Sequence, residues 1–107
     1  MSRLVAVLRG DVTKKVAAIA DDERTKSFYL GRTDDIRERE NRHQADGTAK
    51  TLEVLVGPVP AAVAVAIEGK LIKAFISHSK CINDANHGGG GVSPSRSQFV
   101  YVGYTPM

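Results

Sequence analysis

Short apolar runs separated by polar residues dominate the first third of the chain. The run LVAVL at 4–8 is rich in β-forming residues and predicts a strand. A second run, KKVAAIA at 14–20, is a candidate strand, although its alanines leave a helical turn open as an alternative. The polar residues at 21–26 are typical of a turn, and SFYLG at 27–31 predicts an aromatic strand. Residues 16–31 are therefore expected to form a hairpin with a moderately long loop.

Charged residues dominate the next segment, and its two ends carry the signals of a helix. Thr33 or Asp34 can cap this helix, because a side-chain oxygen there can accept a hydrogen bond from an early backbone N–H. The helix is expected to run to about His43 and to end before ADG at 45–47, where Gly47 can adopt a left-handed conformation. The pattern thus predicts a short, mostly polar helix directly after the aromatic strand.

The second half of the chain is more apolar. TLEVLVG at 51–57 alternates apolar and polar residues and predicts a strand, after which Pro58 and Pro60 are expected to break the chain. The longest apolar segment, at 61–79, predicts a helix, because alanine favours helices and its large apolar residues recur at three- and four-residue spacing. The remaining residues are expected to form a glycine-rich loop and a final strand, at 83–95 and 97–105 respectively.

Composition limits the class of protein. At 107 residues the chain is expected to form one α+β domain, a small mixed sheet flanked by two main helices with additional N- and C-terminal strands. The net charge of +3 favours anionic partners only mildly. Cys81 is the single cysteine, which excludes an internal disulfide and suits a reducing compartment. No apolar run approaches the roughly 20 residues of a membrane helix, so a cytoplasmic protein without a membrane partner is expected.

The strand at 27–31 and the polar helix after it carry an ordered set of side chains. Arg39 and His43 are four residues apart and therefore share one face of the helix. The helix also carries acidic residues that nearly neutralise its arginines, and this charge pattern alone favours a solvated, salt-bridged helix.

The order of residues in this segment resembles a known motif. YLGRTDDIRERENRH resembles the second half of the GIY-YIG nuclease signature, Tyr-Ile-Gly-x-Thr-x-x-Leu-x-x-Arg-Leu-x-x-His, at Tyr29, Gly31, Thr33, Arg39 and His43.

The resemblance extends from residue 16 to about residue 91. In AIEGKLIKAF, Glu68 precedes Leu71 and Ile72 as the family's metal-binding glutamate precedes its own apolar pair. Asn83 follows at about the distance at which the family has an asparagine. The departure within the helix is Glu40, where the family usually places an apolar residue.

The resemblance implies a metal-dependent endonuclease that hydrolyses phosphodiester bonds in nucleic acid, with DNA favoured over RNA, and that cuts or nicks it. Glu68 would hold Mg²⁺ or Mn²⁺ through an oxygen ligand. Arg39 would bind the phosphate, and Tyr29 and His43 would orient or deprotonate the attacking water. A homodimer or a partner protein is expected to supply sequence specificity. The further residues expected to contact nucleic acid are Arg32, Arg37, Arg42 and Asn83.

The family's first motif, Gly-Ile-Tyr, is missing. Its tyrosine is expected eleven residues before Tyr29, where the chain has Ala18. Either another group substitutes, with His43 the nearest candidate, or the protein is a nucleic-acid-binding module that has lost catalysis. The string YVGYT in the last strand offers Tyr101 or Tyr104 as the missing hydroxyl, if that strand joins the sheet beside the strand predicted at the missing motif. A small protein-binding adaptor or inhibitor is the remaining alternative.

Overall fold

The computed structural model describes residues 12–83 and 97–107, and within them the α+β class is confirmed. The strand predicted at 4–8 and the glycine-rich loop after residue 83 lie outside the described residues. No helix within the described ranges is long and apolar enough to span a membrane. The helices and strands, in chain order, are α1 (residues 12–20), β1 (Thr25–Thr33), α2 (Ile36–Asp46), β2 (Thr51–Val59), α3 (Ala61–Phe75) and β3 (Gln98–Pro106).

The last strand, β3, lies at the centre of the sheet. The strand order is β1-β3-β2, and β3 pairs antiparallel with both of its neighbours. A single parallel bridge, between Phe28 and Cys81, lies beside these three strands, so the expected mixed sheet is antiparallel throughout its named strands. The predicted C-terminal strand is therefore present, and it is the element that joins the two others.

The segment at 14–20 is a helix, and the strand predicted for it is wrong. Val12, Val16 and Ala20 recur every four residues and are buried, as the inner face of an amphipathic helix requires. The alanines that left a helical turn open as an alternative indicated the correct structure. The hairpin expected over 16–31 is consequently absent, because a helix precedes β1.

Helix α2 begins slightly later than predicted and extends to Asp46, three residues beyond its expected end near His43, with Gly47 as its C-cap. Its N-cap is Asp35, whose side chain accepts a hydrogen bond from the Glu38 N–H at 3.0 Å. Thr33 supports this cap from two positions earlier, because its Oγ1 accepts from the Asp35 N–H at 3.1 Å. At the other end Gly47 has φ of 74°, a left-handed conformation that glycine adopts without steric cost.

The first of the two prolines does not break the chain. Pro58 lies inside β2, joined to Gly57 by a cis peptide bond. An edge strand tolerates proline because the N–H that proline lacks can be one that would point to solvent and not to a neighbouring strand.

Helix α3 follows β2 and ends at Phe75, four residues before its predicted end.

The sheet carries helices on both faces. The register places Leu30 opposite Val102 on one face and Gly31 opposite Tyr101 on the other, because successive side chains of a strand alternate. Helices α1 and α3 cover the first face, and α2 lies against the second. The buried apolar residues of the first face form one cluster: Val12, Val16, Ala20, Phe28, Leu30, Leu55, Val63, Ala64, Ile67, Leu71, Val100 and Val102.

The segment after α3 closes the outer edge of β1. The Phe28 N–H donates to the Lys80 carbonyl, and the Ile82 N–H donates to the Phe28 carbonyl. The Asn83 amide continues this pattern, because its Oδ1 accepts from the Leu30 N–H at 2.8 Å and its Nδ2 donates to the Leu30 carbonyl at 2.7 Å. Asn83 therefore satisfies a buried stretch of β1 backbone as a neighbouring strand would.

Replacing Asn83 by alanine is expected to destabilise the fold. The substitution leaves the N–H and the carbonyl of Leu30 without their buried partner, and each loss costs about 1–3 kcal/mol. We expect the free energy of unfolding, measured with urea, to fall by about 2–4 kcal/mol. Asn41→Ala, on the exposed side of α2, is the control and should change it by about 0.5 kcal/mol or less. Equal effects of the two substitutions would contradict the bridging role.

Candidate active site

Gly31 and Tyr101 face each other across the pair formed by β1 and β3. Tyr101 is fully buried, and its ring lies over Gly31. A Cβ atom on Gly31 would be 2.5 Å from the phenolic oxygen of Tyr101 and 2.6 Å from the ring carbon that bears it. No side chain fits in that space. The glycine of the YLG sequence is thus needed to admit a tyrosine from the neighbouring strand.

His43 connects α2 to this phenol. Its Nε2 is 2.8 Å from the Tyr101 hydroxyl, and its Nδ1 is 2.6 Å from the Thr48 hydroxyl. The centre of its ring is 4.9 Å from that of Tyr29 and 5.7 Å from that of Tyr101. Because each ring nitrogen contacts a hydroxyl group, both hydrogen-bonding positions of the His43 ring are taken up within the protein.

Arg39 lies one turn before His43 on the same face of α2 and forms a side-chain hydrogen bond with the Tyr101 hydroxyl. The Arg39 side chain is 13% exposed, and its Nε is 4.0 Å from Glu38 Oε2. The guanidinium charge helps to lower the pKa of His43, in addition to burial. The structure therefore brings together Tyr29, Arg39 and His43 from the predicted site and adds Tyr101.

The two phenols of this group keep their protons at neutral pH. Burial raises the pKa of Tyr29, the charge of Glu68 raises it further, and Arg39 opposes both. Burial raises the pKa of Tyr101 as well, with Arg39 opposing the shift and Tyr29 and Glu68 adding to it. A phenol that takes a proton from water would need a lowered pKa. Both tyrosines are therefore suited to hydrogen bonding and not to acting as phenolates.

Glu68 is the buried carboxylate of α3, with 7% of the residue exposed. Its Oε1 is 3.2 Å from Arg32 Nε, and the same guanidinium donates to Gln98 Oε1 at 3.0 Å. Gln98 is fully buried at the start of β3. Arg32, expected to contact nucleic acid, thus pairs with the carboxylate expected to bind the metal.

A single carboxylate is compatible with Mg²⁺, which fills most of its coordination positions with water and substrate phosphate. No group of three or more metal-ligating side chains occurs in the described part of the chain. Glu68 supplies one hard oxygen donor in a shielded position, and one of its oxygens also contacts Arg32. The residues present therefore fit a metal held jointly by one carboxylate and a bound phosphate, and they do not fit a metal held by protein ligands alone.

The other predicted contacts lie outside the group around Tyr101. Arg37 and Arg42 are exposed on α2, and Arg42 pairs with Glu38 at 2.6 Å. Glu40, which departs from the family pattern, accepts a hydrogen bond from the Leu52 N–H of the edge strand β2 at 3.2 Å. A carboxylate at this position therefore has a structural use here.

Of the two tyrosines proposed from the last strand, Tyr101 belongs to the site. Tyr104 pairs with Phe28 and packs against the core on the other face of the sheet. The last strand was expected to join the sheet beside a strand at 16–20. That expectation is wrong, because residues 16–20 are helical and β3 pairs with β1. No sequence pattern singles out Thr48 or Gln98, because neither belongs to a motif and each gains its partners only in the folded chain.

Acidification is expected to destabilise the protein through His43. Burial, Arg39 and Arg42 lower its pKa in the folded state, and Asp46 opposes them. The unfolded chain, with an ordinary histidine pKa of about 6.5, therefore takes up the proton first as the pH falls. The free energy of unfolding should be constant above about pH 7 and should decrease as the pH falls through about 6.5 towards the lower folded-state pKa.

Urea unfolding at a series of pH values measures this effect. His43→Gln should flatten the decrease in that window, and His78→Gln should retain it. A wild-type stability that is unchanged down to about pH 5, or a decrease that His43→Gln leaves intact, would contradict the role of His43.

Comparison with protein families, with curated proteins and with solved structures found no match to this chain. The resemblance to GIY-YIG nucleases therefore rests on the sequence pattern of this chain alone. The distances place His43 in hydrogen-bond contact with Tyr101 and beside Tyr29, while the Arg39 side chain and the charge of Glu68 both act on the pKa of the two phenols.

Proposed function

We propose that the protein is a metal-dependent endonuclease of the GIY-YIG type that hydrolyses phosphodiester bonds in DNA. One observation carries this proposal: α2 and β3 bring Arg39, His43 and Tyr101 into one hydrogen-bonded group beside Tyr29. The resemblance calls for a second tyrosine, from the strand of the first motif. At that sequence position the chain has Ala18. In this proposal Tyr101 supplies a phenol from β3 that holds Arg39 and His43 in place.

Arg39 is the residue proposed to bind the scissile phosphate. A guanidinium is planar and permanently charged, so it can donate two parallel hydrogen bonds to phosphate oxygens. It stabilises the negative charge that develops on those oxygens in the transition state. The hydrogen bond to the buried Tyr101 hydroxyl restrains the guanidinium and lowers the cost of ordering it at the moment of reaction.

The two tyrosines are proposed to act differently. Tyr101 is fully buried, so it positions Arg39 and His43 and does not touch the substrate. Tyr29 is partly exposed, and its hydroxyl can reach a water at the surface of the site. Because its pKa is raised, Tyr29 orients that water by hydrogen bonding and keeps its own proton. Glu68 would hold the divalent cation, which supplies Lewis-acid stabilisation of the phosphate when it is bound.

Plasmid cleavage in the presence of Mg²⁺ tests the proposal. Wild type is expected to nick or cut the plasmid, and Glu68→Gln should slow cleavage by about a hundredfold or more, because loss of the cation removes several kcal/mol of transition-state stabilisation. Glutamine keeps the size of the side chain and can still accept from Arg32. Glu53→Gln, at an exposed position of β2, is the matched control and should cut as wild type does.

A DNA-binding module without catalysis is the second candidate, and the 3.2 Å contact between Arg32 and Glu68 favours it, because that carboxylate already has a cationic partner. This candidate predicts salt-sensitive DNA binding that Glu68→Gln leaves intact. A wild type that binds DNA but is inert with every divalent metal tested would replace the nuclease with this second function. Absence of DNA binding at low salt would contradict both and would favour the protein-binding adaptor.

Arginine-to-lysine substitutions on α2 test the role of Arg39 separately. Lysine keeps the charge but cannot donate in the planar, two-pronged geometry. We expect Arg39→Lys to lower kcat about a hundredfold with little change in DNA affinity. Arg37→Lys, on the exposed side of the same helix, should leave kcat within about twofold of wild type. Equal kcat values for the two variants would exclude Arg39 as the transition-state ligand.

A further inference from the structure

Thr48 lies immediately after α2, at the end of a chain of contacts that leads to Arg39. Its hydroxyl is 2.6 Å from His43 Nδ1, His43 Nε2 is 2.8 Å from the Tyr101 hydroxyl, and that hydroxyl bonds to Arg39. A neutral imidazole carries its single proton on either nitrogen, so these hydrogen bonds can be donated in either of two directions. The direction decides whether the Tyr101 oxygen is oriented to accept from the guanidinium.

The surroundings of Thr48 favour a proton on Nδ1. The Thr48 hydroxyl oxygen is 3.4 Å from the backbone carbonyl of His43, which also accepts from the Thr48 N–H at 3.0 Å. This carbonyl belongs to the last turn of α2, where helix carbonyls carry partial negative charge. A hydroxyl proton directed to that carbonyl leaves the oxygen lone pairs facing Nδ1, which must then donate.

The surroundings of Tyr101 favour the same direction. The phenol is fully buried, so its O–H requires an acceptor inside the protein. Arg39 has only donor groups and therefore gives its hydrogen bond to the phenolic oxygen. The Tyr101 proton then points to His43 Nε2, at 2.8 Å, which accepts it only if the ring proton is on Nδ1.

We propose that Thr48 is a positioning residue that fixes the Nδ1–H tautomer of His43, so that Tyr101 donates to Nε2 and its oxygen accepts the guanidinium of Arg39. The reversed chain would place Nε2–H on the phenolic oxygen and turn the phenol proton towards Arg39, which cannot accept it. The consequence for catalysis rests on the proposed function, because the orientation of Arg39 affects a rate only if Arg39 binds the reacting phosphate. The tautomer itself does not depend on that function.

Proton–nitrogen correlation NMR of the full-length ¹⁵N-labelled protein reads the tautomer directly. At neutral pH the lowered pKa of His43 keeps the ring neutral, and His43→Gln assigns its signals among those of the three histidines. We expect the proton on Nδ1 in wild type and in Thr48→Ser, which retains a hydroxyl. In Thr48→Val, which lacks an acceptor, we expect the population to shift towards Nε2–H. Thr51→Val, at an exposed position of β2, should leave the signals unchanged.

A wild-type ring protonated on Nε2, or a Thr48→Val ring that stays protonated on Nδ1, would overturn the proposal. Should Thr48→Val fail to fold, the wild-type and Thr48→Ser spectra still decide it, because both must show Nδ1–H.

Cleavage kinetics separate this proposal from the proposed function. Thr48→Val is expected to lower kcat about tenfold with little change in DNA affinity, and Thr48→Ser should restore it. An unchanged kcat despite a switched tautomer would overturn the positioning role. If wild type shows Nδ1–H and Thr48→Val shifts it, but wild type does not cut DNA, the proposed function fails and the assignment of the tautomer to Thr48 stands.

Discussion

The antiparallel pairing of β3 between β1 and β2 is the constraint on which the rest of the site depends. It sets Tyr101 opposite Gly31, and the phenol fits there because glycine has no Cβ. Once that hydroxyl is fixed, His43 and Arg39 can both bond to it from neighbouring turns of α2. A register shift of one residue would move the phenol to the face that packs against α3, and the group would be lost.

The parts of the fold that follow from local chemistry could be predicted from the sequence. The end of α2 at Gly47 needs only a residue that tolerates φ of 74°. Helix α3 could be predicted because its apolar residues recur at helical spacing within one segment of the chain. The central position of β3 could not be predicted, because strand order depends on pairing between distant residues. The helix at 12–20 was ambiguous for another reason: a short apolar run suits a buried strand and a buried helix equally well.

The site divides in the same way. Tyr29, Arg39 and His43 belong to one strand and the helix that follows it, so their spacing along the chain was enough to group them. Tyr101 reaches the site because β3 pairs with β1. Thr48 and Gln98 reach it because the folded chain buries them there, and no sequence pattern indicates this. Arg32 was expected at the nucleic acid because of its charge alone. A carboxylate as buried as Glu68 requires a counter-charge, and Arg32 supplies one at 3.2 Å.

The balance of charge in this region bears on the kind of molecule that can bind. The site contains three shielded charged side chains in the described part of the protein. Two are the guanidiniums of Arg32 and Arg39, and one is the carboxylate of Glu68. Glu38, the acidic neighbour of Arg39, is half exposed and is shared, since it lies 2.6 Å from Arg42 and 4.0 Å from Arg39. Partly buried charges are screened less by salt than exposed ones, so this excess of positive charge persists at physiological ionic strength. In the proposed function a phosphate compensates this charge, and it also supplies the oxygens that a cation on a lone carboxylate lacks.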